Sequence, residues 1–371
     1  MFGYNHHRHP MGIDIHSQGV CALQLHKTRA GMTIGAARQV PLDLPCTGTP
    51  EEIDALGPCL KRLRRRLPHR AGPAVVSLPP EYMATFPVTF EVEPHQALES
   101  ALVEACRKHL SMPLSEAVID YMHLHQSGEN GRRQHQASVV AAPRSRIAQI
   151  VGVFHKSGWR VGVIDTSLSA LVRLQAISHS LTDTPSILVH IGQETILLAV
   201  VSQKEIIAHR HLNWGMGRLR RRMANSMHLA PDAPSILNLL REYGLAHHFH
   251  KTSASSHGRP EQPVDGLDRS APRIVFQILV PYLEDLLLEM YQMIGYSRSQ
   301  RPEIQFEQIC LYGMANDIKD LAAYLEQRLR ITTHSVDPFE RLGLPEDDPS
   351  MGPEARSGYL FALGLSLRGA P

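Results

Sequence analysis

The sequence predicts an α/β protein of two similar halves, the first carrying a small α+β insert. Three observations lead there. Met11-Gly12-Ile13-Asp14-Ile15-His16-Ser17-Gln18-Gly19-Val20 and Ile187-Leu188-Val189-His190-Ile191-Gly192-Gln193-Glu194-Thr195-Ile196 share one pattern. Each is an apolar strand, a tight turn of small or polar residues, and a second apolar strand. Each hairpin is then followed by helices and short strands. Between residues 85 and 143 the texture changes to strand, helix, strand, strand. Duplicated α/β halves place ligands at such turns, and a turn of this shape wraps a phosphate with backbone N–H donors.

Length and composition narrow the class. The chain has 371 residues, enough for two domains. An apolar share of 43% is ordinary for a globular protein that needs no metal or disulfide staple. A net charge of +2 provides no global field for nucleic acid, and no such partner is expected. Cys21, Cys46, Cys59, Cys106 and Cys310 are odd in number and widely spaced, which points to reduced thiols. There is no run of ~18 apolar residues, and MFGYNHHRHP lacks the apolar core of a signal peptide. A cytoplasmic protein is expected. The histidines number 22. His6, His7 and His9 read as a solvated, flexible terminus over residues 1–10 and not as a metal tract. No His/Cys cluster has closed zinc spacing, and no metal site is expected.

The elements follow in order. Strands are predicted at 11–25, across a turn, with a third at Gln39–Leu44 that Pro41 marks as an edge. A helix spans Glu51–Leu67, started near Thr49 and Pro50 and stopped by Pro68. Its basic tail, Lys61–Arg66, complements the helix C-terminus; contact with anionic lipid is the weaker reading. Ala74–Leu78 is a short buried strand. The insert then reads as strand Thr85–Val92, helix Pro94–Leu110, strand Ala117–His125, a polar turn and strand Ala137–Ala142. Helix Arg144–Ser157, strand Arg160–Asp165 and helix Ser167–Ser178 close the first half. The second half has the hairpin Ile187–Val201, strand Glu205–Asn213, and helices Gly215–Met227 and Pro234–Tyr243. A Ser/Gly/Pro/His-rich stretch, His247–Pro272, reads as a mobile loop. Helix Ile274–Met293, strand Gln308–Leu311, helix Ile318–Leu329, strand Thr332–Val336 and helix Tyr359–Leu367 complete the chain. That last helix carries small residues at Ala362, Gly364 and Ser366.

At this point the order of phrases resembles the PilM family, the actin-like, FtsA-related proteins of type IV pilus assembly. MGIDIHSQGVCALQL resembles the family's opening GIDIGSSSVKVVEL. AVVSLPPEYMATFPVTF is similar to its crossing into the inserted subdomain. LSMPLSEAVIDYMHL, SGWRVGVIDTSLSALVRL, Val336-Asp337-Pro338-Phe339 and Tyr359–Leu367 follow in the family's order. The resemblance implies a two-lobed actin-like (ribonuclease H-like, duplicated) fold. Residues 11–84 and 144–182 would form the first lobe, and 85–143 the FtsA-like insert. Residues 183–371 would form the second lobe, with a helical subdomain at about 214–273.

The family binds ATP between its lobes, and the matching positions here are Asp14, Ser17, Gly192, Thr195 and Gly313. Several partners are changed. His16 replaces a glycine and would crowd a backbone approach to phosphate. Cys21 replaces a lysine, and His190 replaces an aspartate near the magnesium; imidazole is a poor ligand for that ion. Gly215-Met216-Gly217 lacks the acid of a Gly-Gly-Asp turn. Ile236–Leu240 lacks the ribose and base contacts, and Tyr312-Gly313-Met314 replaces a triple glycine. The expectation is no catalytic residue, no efficient ATP hydrolysis, and Mg-ATP at low affinity or not at all. The resemblance further implies a scaffold at the cytoplasmic face of the inner membrane that takes the N-terminal tail of a PilN-like membrane protein. Thr85–Val92, Ala101–His109 and Val139–Ala141 would lie in or near that groove. Other pilus platform or motor ATPase components are further expected partners, with peripheral contact to anionic lipid through the basic runs Lys61–Arg66 and Arg218–Arg222. Two other readings stay open: an active actin-like ATP-binding protein whose nucleotide state regulates pilus assembly, and a type II secretion GspL-like cytoplasmic scaffold.

Overall fold

The structure, a computed structural model, describes residues 7–16, 19–42, 49–67, 72–93, 95–127, 134–178, 184–202, 205–230, 233–249, 270–345, 351 and 356–368. The chain divides into two compact units. The first comprises Met1–Asp183, Gln203–Ile206 and Asp337–Pro371; the second comprises Thr184–Ser202 and Ile207–Val336.

The first unit is built on a five-stranded sheet. Its strands are β1 (His7–His16), β2 (Gly19–Thr28), β3 (Gly31–Pro41), β4 (Ala74–Ser77) and β8 (Val161–Asp165), in the order β3-β2-β1-β4-β8. β1, β2 and β3 pair antiparallel, while β4 and β8 run parallel to β1. Helices α1 (Pro50–Arg65) and α3 (Arg144–Lys156) share an apolar core with one face, through Ile53, Leu56, Leu60, Leu63, Ile150 and Phe154. α1 starts where its sequence says it must. Thr49 Oγ1 accepts from Glu52 N–H at 3.4 Å, and Glu52 Oε2 accepts from Thr49 N–H at 3.2 Å, a reciprocal capping box with proline at the first position.

The insert is a three-stranded antiparallel sheet, β5 (Ala84–Glu91), β7 (Gln134–Pro143) and β6 (Ala117–Ser127), with β7 in the middle. Helix α2 (Leu98–Cys106) covers it through Ala101, Leu102 and Cys106 against Val88, Phe90, Ala137 and Val139. α2 starts later than the sequence pattern suggests, after a turn in which Gln96 N–H donates to Glu93 O at 3.0 Å.

The second unit repeats the sheet order. β9 (Ser186–Ile191), β10 (Ile196–Ser202), β11 (Glu205–Leu212), β12 (Gln308–Gly313) and β13 (Thr332–Ser335) lie as β11-β10-β9-β12-β13. Helices α5 (Met216–Met227), α6 (Pro234–Glu242), α7 (Ser270–Gln300) and α8 (Leu321–Leu329) surround it. Met216, Leu219, Ile236, Leu240, Leu279 and Leu283 share one continuous core with the strand residues Ile187, Val189, Leu198 and Leu311. The region 214–273, read as a helical subdomain, therefore has no separate core among its described residues.

Four sequence expectations change. Residues 7–10, read as a flexible terminus, belong to β1, with His7 opposite Lys27 and Arg8 opposite His26. β3 begins at Gly31, eight residues before the predicted strand; its Gly/Ala-rich start has little β propensity, and pairing with β2 imposes the strand. Of the predicted loop 247–272, residues 247–249 are helical and 270–272 open α7, while 250–269 lie outside the described residues. Asp337–Pro371, assigned by sequence to the second lobe, belongs to the first unit.

Packing explains that last placement. Helix α10 (Arg356–Ser366), preceded by the short α9 (Pro338–Arg341), lies on β1 and β2. A Cβ on Gly12 would run into the carbonyl of Ala362 and come 2.7 Å from Ser366 N. Ser366 Oγ accepts from Leu25 N–H at 3.2 Å. A Cβ on Gly364 would meet the backbone of Ala170 in helix α4 (Ser167–Ser178). The small residues of α10 thus permit close approach on two sides. Asp165, buried at the end of β8, accepts from Arg173 on α4 and from Arg368 just beyond α10, the latter at 2.7 Å.

Gly12→Ala is expected to lower the unfolding free energy by about 1–3 kcal/mol, the usual cost of overpacking. Urea unfolding followed by circular dichroism reads this directly. An unchanged midpoint would mean that α10 does not bed on β1.

Candidate functional site

In the first unit, strand register gathers a polar row near the carboxyl ends of the parallel strands. Asp14 pairs across to Cys21 on one side and to Ser77 on the other, and Ser77 pairs with Asp165. Cys21 in turn faces Gln39. Asp14 is 4 % exposed. Burial pushes its carboxyl up to about 7, and a hydrogen bond from Ser77 offsets this only in part. Burial drives the His16 imidazole down to about 4. Cys21 Sγ lies 3.3 Å from His16 Nε2. Burial, with Asp14 and Cys59 nearby, holds the Cys21 thiol well above its ordinary range. A thiol so held is neither a nucleophile nor a metal ligand at neutral pH. Among the described residues, no group of three or more His, Cys, Asp or Glu side chains is arranged to hold a metal ion. Ser17 lies outside the described residues.

In the second unit, Gly192, Thr195 and Gly313 come together around His190. Gly192 N–H donates to Thr195 O at 2.9 Å, closing the turn on itself. The turn's carbonyls are also engaged. Met216 N–H donates to Gly192 O at 2.8 Å and Gly217 N–H to Gln193 O at 2.7 Å. These are the first two N–H groups of α5, the donors a helix N-terminus would otherwise offer an anion. The third, Arg218 N–H, donates to Gly215 O at 3.1 Å. A Cβ on Gly215 would come 2.8 Å from Gln193 O and 2.9 Å from Thr195 N, so only glycine permits this stitching.

His190 is buried. Gly313 ends β12 with φ of 69°, and a Cβ there would meet the His190 ring at 2.8 Å. A Cβ on Gly192 would lie 3.2 Å from His190 Cε1. The imidazole therefore occupies the space between the two glycines. Across the sheet it stands in register with Leu197 and Tyr312, an apolar row where the first unit has a polar one. Over the turn, Glu194 pairs with Arg221 at 3.3 Å.

Several residues escaped the sequence reading. Ser77 and Asp165 join the row only through the register of strands far apart in sequence, and nothing local to either residue signals it. The basic runs are partly committed inside the protein. Arg62 donates to Pro41 O, and Arg64 donates to Gly158 O and lies over Trp159. Arg218 pairs with Asp285 at 2.6 Å. Residues expected near a peptide groove divide into two sets. Ala101, Leu102, Cys106, Val139 and Ala141 are buried, the first four in the insert's own core. Phe86, half-buried, stacks on exposed His109 with ring centroids 5.0 Å apart, and Val103 is exposed. No helix among the described residues is long and apolar enough to cross a membrane.

Comparison with known proteins adds the following. The family model described as type IV pilus assembly protein PilM matches residues 12–245 and 270–370. A solved PilM–PilN type IV pilus biogenesis complex is similar at 20% identity and a TM-score of 0.70, covering 98% of this chain and 99% of that one. The ethanolamine utilization protein EutJ from Carboxydothermus hydrogenoformans is similar at 12% identity and TM-score 0.49, over 96% and 90% of the two chains. MreB5 of Spiroplasma citri, solved with ADP, is similar at 11% identity and TM-score 0.47, over 96% and 97%. No curated protein sequence matches. The fold is actin-like, as the sequence phrases imply.

The raised carboxyl gives a test. A folded-state value near 7 against 3.8 means that Asp14 withdraws stability as pH rises from about 4 to 7. Asp14→Asn removes this. The variant is expected to match the wild type below about pH 4 and to exceed it above pH 7, by at most about 4 kcal/mol. Urea midpoints across that range measure the gap, and a gap that shrinks as pH rises refutes it.

Proposed function

The chain belongs to the type IV pilus assembly protein PilM family, and on that premise we propose that it is a docking scaffold of the inner-membrane pilus assembly platform. In this reading it is cytoplasmic and peripheral to that membrane. Its actin-like turns no longer hold a magnesium nucleotide.

One observation carries the reading. In the second unit the donors at the start of α5 are spent on the carbonyls of Gly192 and Gln193. A triphosphate needs such N–H groups free, and its magnesium needs oxygen ligands. His190 offers an imidazole where the resemblance implies an acid. In the first unit Asp14 is only partly ionised near pH 7, and no ammonium stands at Cys21. These residues do not fit Mg-ATP. Each missing contact costs ~1–3 kcal/mol, and together they take binding out of the cellular range.

The partner in this reading is the N-terminal tail of a PilN-like membrane protein. Support comes from the similar solved structure, which is a PilM–PilN complex. The insert is the proposed seat. Its available faces are the half-exposed Phe86–His109 stack and Val103, not the buried Val139 and Ala141.

Two measurements test the two halves of the proposal. Calorimetric titration with Mg-ATP is expected to give no binding tighter than about 1 mM, ~4 kcal/mol. Micromolar binding lost in Asp14→Ala overturns the degenerate site. Fluorescence anisotropy with a labelled PilN-like tail peptide is expected to saturate at micromolar concentration, ~8 kcal/mol. Phe86→Ala should weaken it about tenfold. No saturation below hundreds of micromolar rejects the docking role.

A further inference from the structure

Helix α7 presents two apolar stripes where a globular helix needs one. Val275, Leu279, Tyr282, Leu283, Leu286 and Met290 fill the second unit's core. The opposite side is exposed. Leu288 is 57 % and Tyr291 49 % exposed, and Ile274, two heptads before Leu288, is 39 % exposed. Glu284, Leu288, Tyr291, Gly295 and Arg298 recur at steps of four, three, four and three residues. That is the repeat of a seam between two supercoiled helices.

The seam has a shape and a polarity. A Cβ on Gly295 would meet nothing within 4 Å, so the helix surface there is an open notch. The Tyr291 hydroxyl donates to Arg328 O at 3.0 Å, which holds the ring along the surface. One end of the seam is acidic, at Glu284, which also holds Arg328 at 2.6 Å. The other end is basic, at Arg298, whose guanidinium lies 5.9 Å from the Phe306 ring centre.

We propose that this seam binds the same seam of a second copy of the chain, antiparallel, about a two-fold axis near Tyr291. In that register Leu288 of one copy comes level with the Gly295 notch of the other. Glu284 comes level with Arg298, where an added guanidinium extends the existing Glu284–Arg328 pair. Both matches occur twice by symmetry, as an isologous contact requires. A parallel pairing sets glutamate against glutamate, arginine against arginine and notch against notch. Glu284 to Arg298 spans about 21 Å of helix, short for a permanent dimer, so the association is weak and concentration-dependent. It is independent of the nucleotide and peptide readings.

Sedimentation velocity of the full chain over a concentration series tests it. A monomer–dimer equilibrium in the range of about 10–100 µM is expected. Leu288→Glu should raise the dissociation constant at least about tenfold. Glu284→Arg should do the same, and adding Arg298→Glu to it should restore association. Orientation is read separately with a short bismaleimide, the wild type serving as the blank for native cysteines. Leu288→Cys mixed with Gly295→Cys should cross-link far more than either variant alone. The proposal is overturned by a monomer at every concentration, by a dimer indifferent to Leu288→Glu, or by like-with-like cross-linking that equals the mixture.

Discussion

The first unit rests on the bedding of its final helix against its first strand. Gly12 has no side chain, so α10 lies directly on β1, close enough for Ser366 to reach the backbone of Leu25 on β2. The same helix passes Ala170 of α4 through Gly364. Asp165 then ties α4 and the end of α10 together through Arg173 and Arg368. Burial lowers the Arg173 value and the Asp165 charge raises it, the usual opposition in a half-buried pair. Removing the carboxylate would leave two guanidiniums facing each other. Because Asp14 stands two residues beyond Gly12 on the same strand, this packing also sets where the polar row sits.

The two sheets share one strand order but not one chemistry. Around β1 the row runs Gln39, Cys21, Asp14, Ser77, Asp165; around β9 it runs Leu197, His190, Tyr312. Architecture is carried by apolar strand residues, of which Ile13, Ile15, Val189 and Ile191 are almost wholly buried. The ends of those strands are free to diverge, because backbone pairing does not depend on which side chain stands there. A fold retained in this way implies nothing about a site retained with it.

Much of this was legible in the sequence. The two hairpins, α1 with its start near Thr49 and Pro50, α4 and the strand–helix–strand–strand insert all follow from local signals: periodicity, caps and prolines. What the sequence hid was set at long range. β3 is a strand because β2 pairs with it, not because Gly31–Ala37 favours one. Residues 337–371 join the first unit because glycine and alanine permit contact with residues some three hundred positions earlier. At the site, the turn carrying Gly192 and Thr195 followed the strand–turn–strand pattern, while Asp14 lies within β1 and not in a turn. The stitching of α5 onto Gly192 and Gln193 was not legible, since it is made by backbone atoms that no side-chain motif reports.

The charge state of the first turn follows from its burial. Asp14 loses stability for the fold as pH rises through about 4 to 7, while His16, with a folded value near 4 against 6.5, gains it as pH rises through about 4 to 6.5. The two residues are neighbours on one strand face, and their effects oppose. Through the mildly acidic range the carboxyl is largely protonated, the imidazole neutral and the thiol intact. Asp14 and His16 then carry little formal charge. In the second hairpin the first N–H donors of α5 are taken by the turn's own carbonyls, and in the first the acid is buried. Each unit instead has an apolar core of its own. Each core supplies stability that does not depend on a bound ligand.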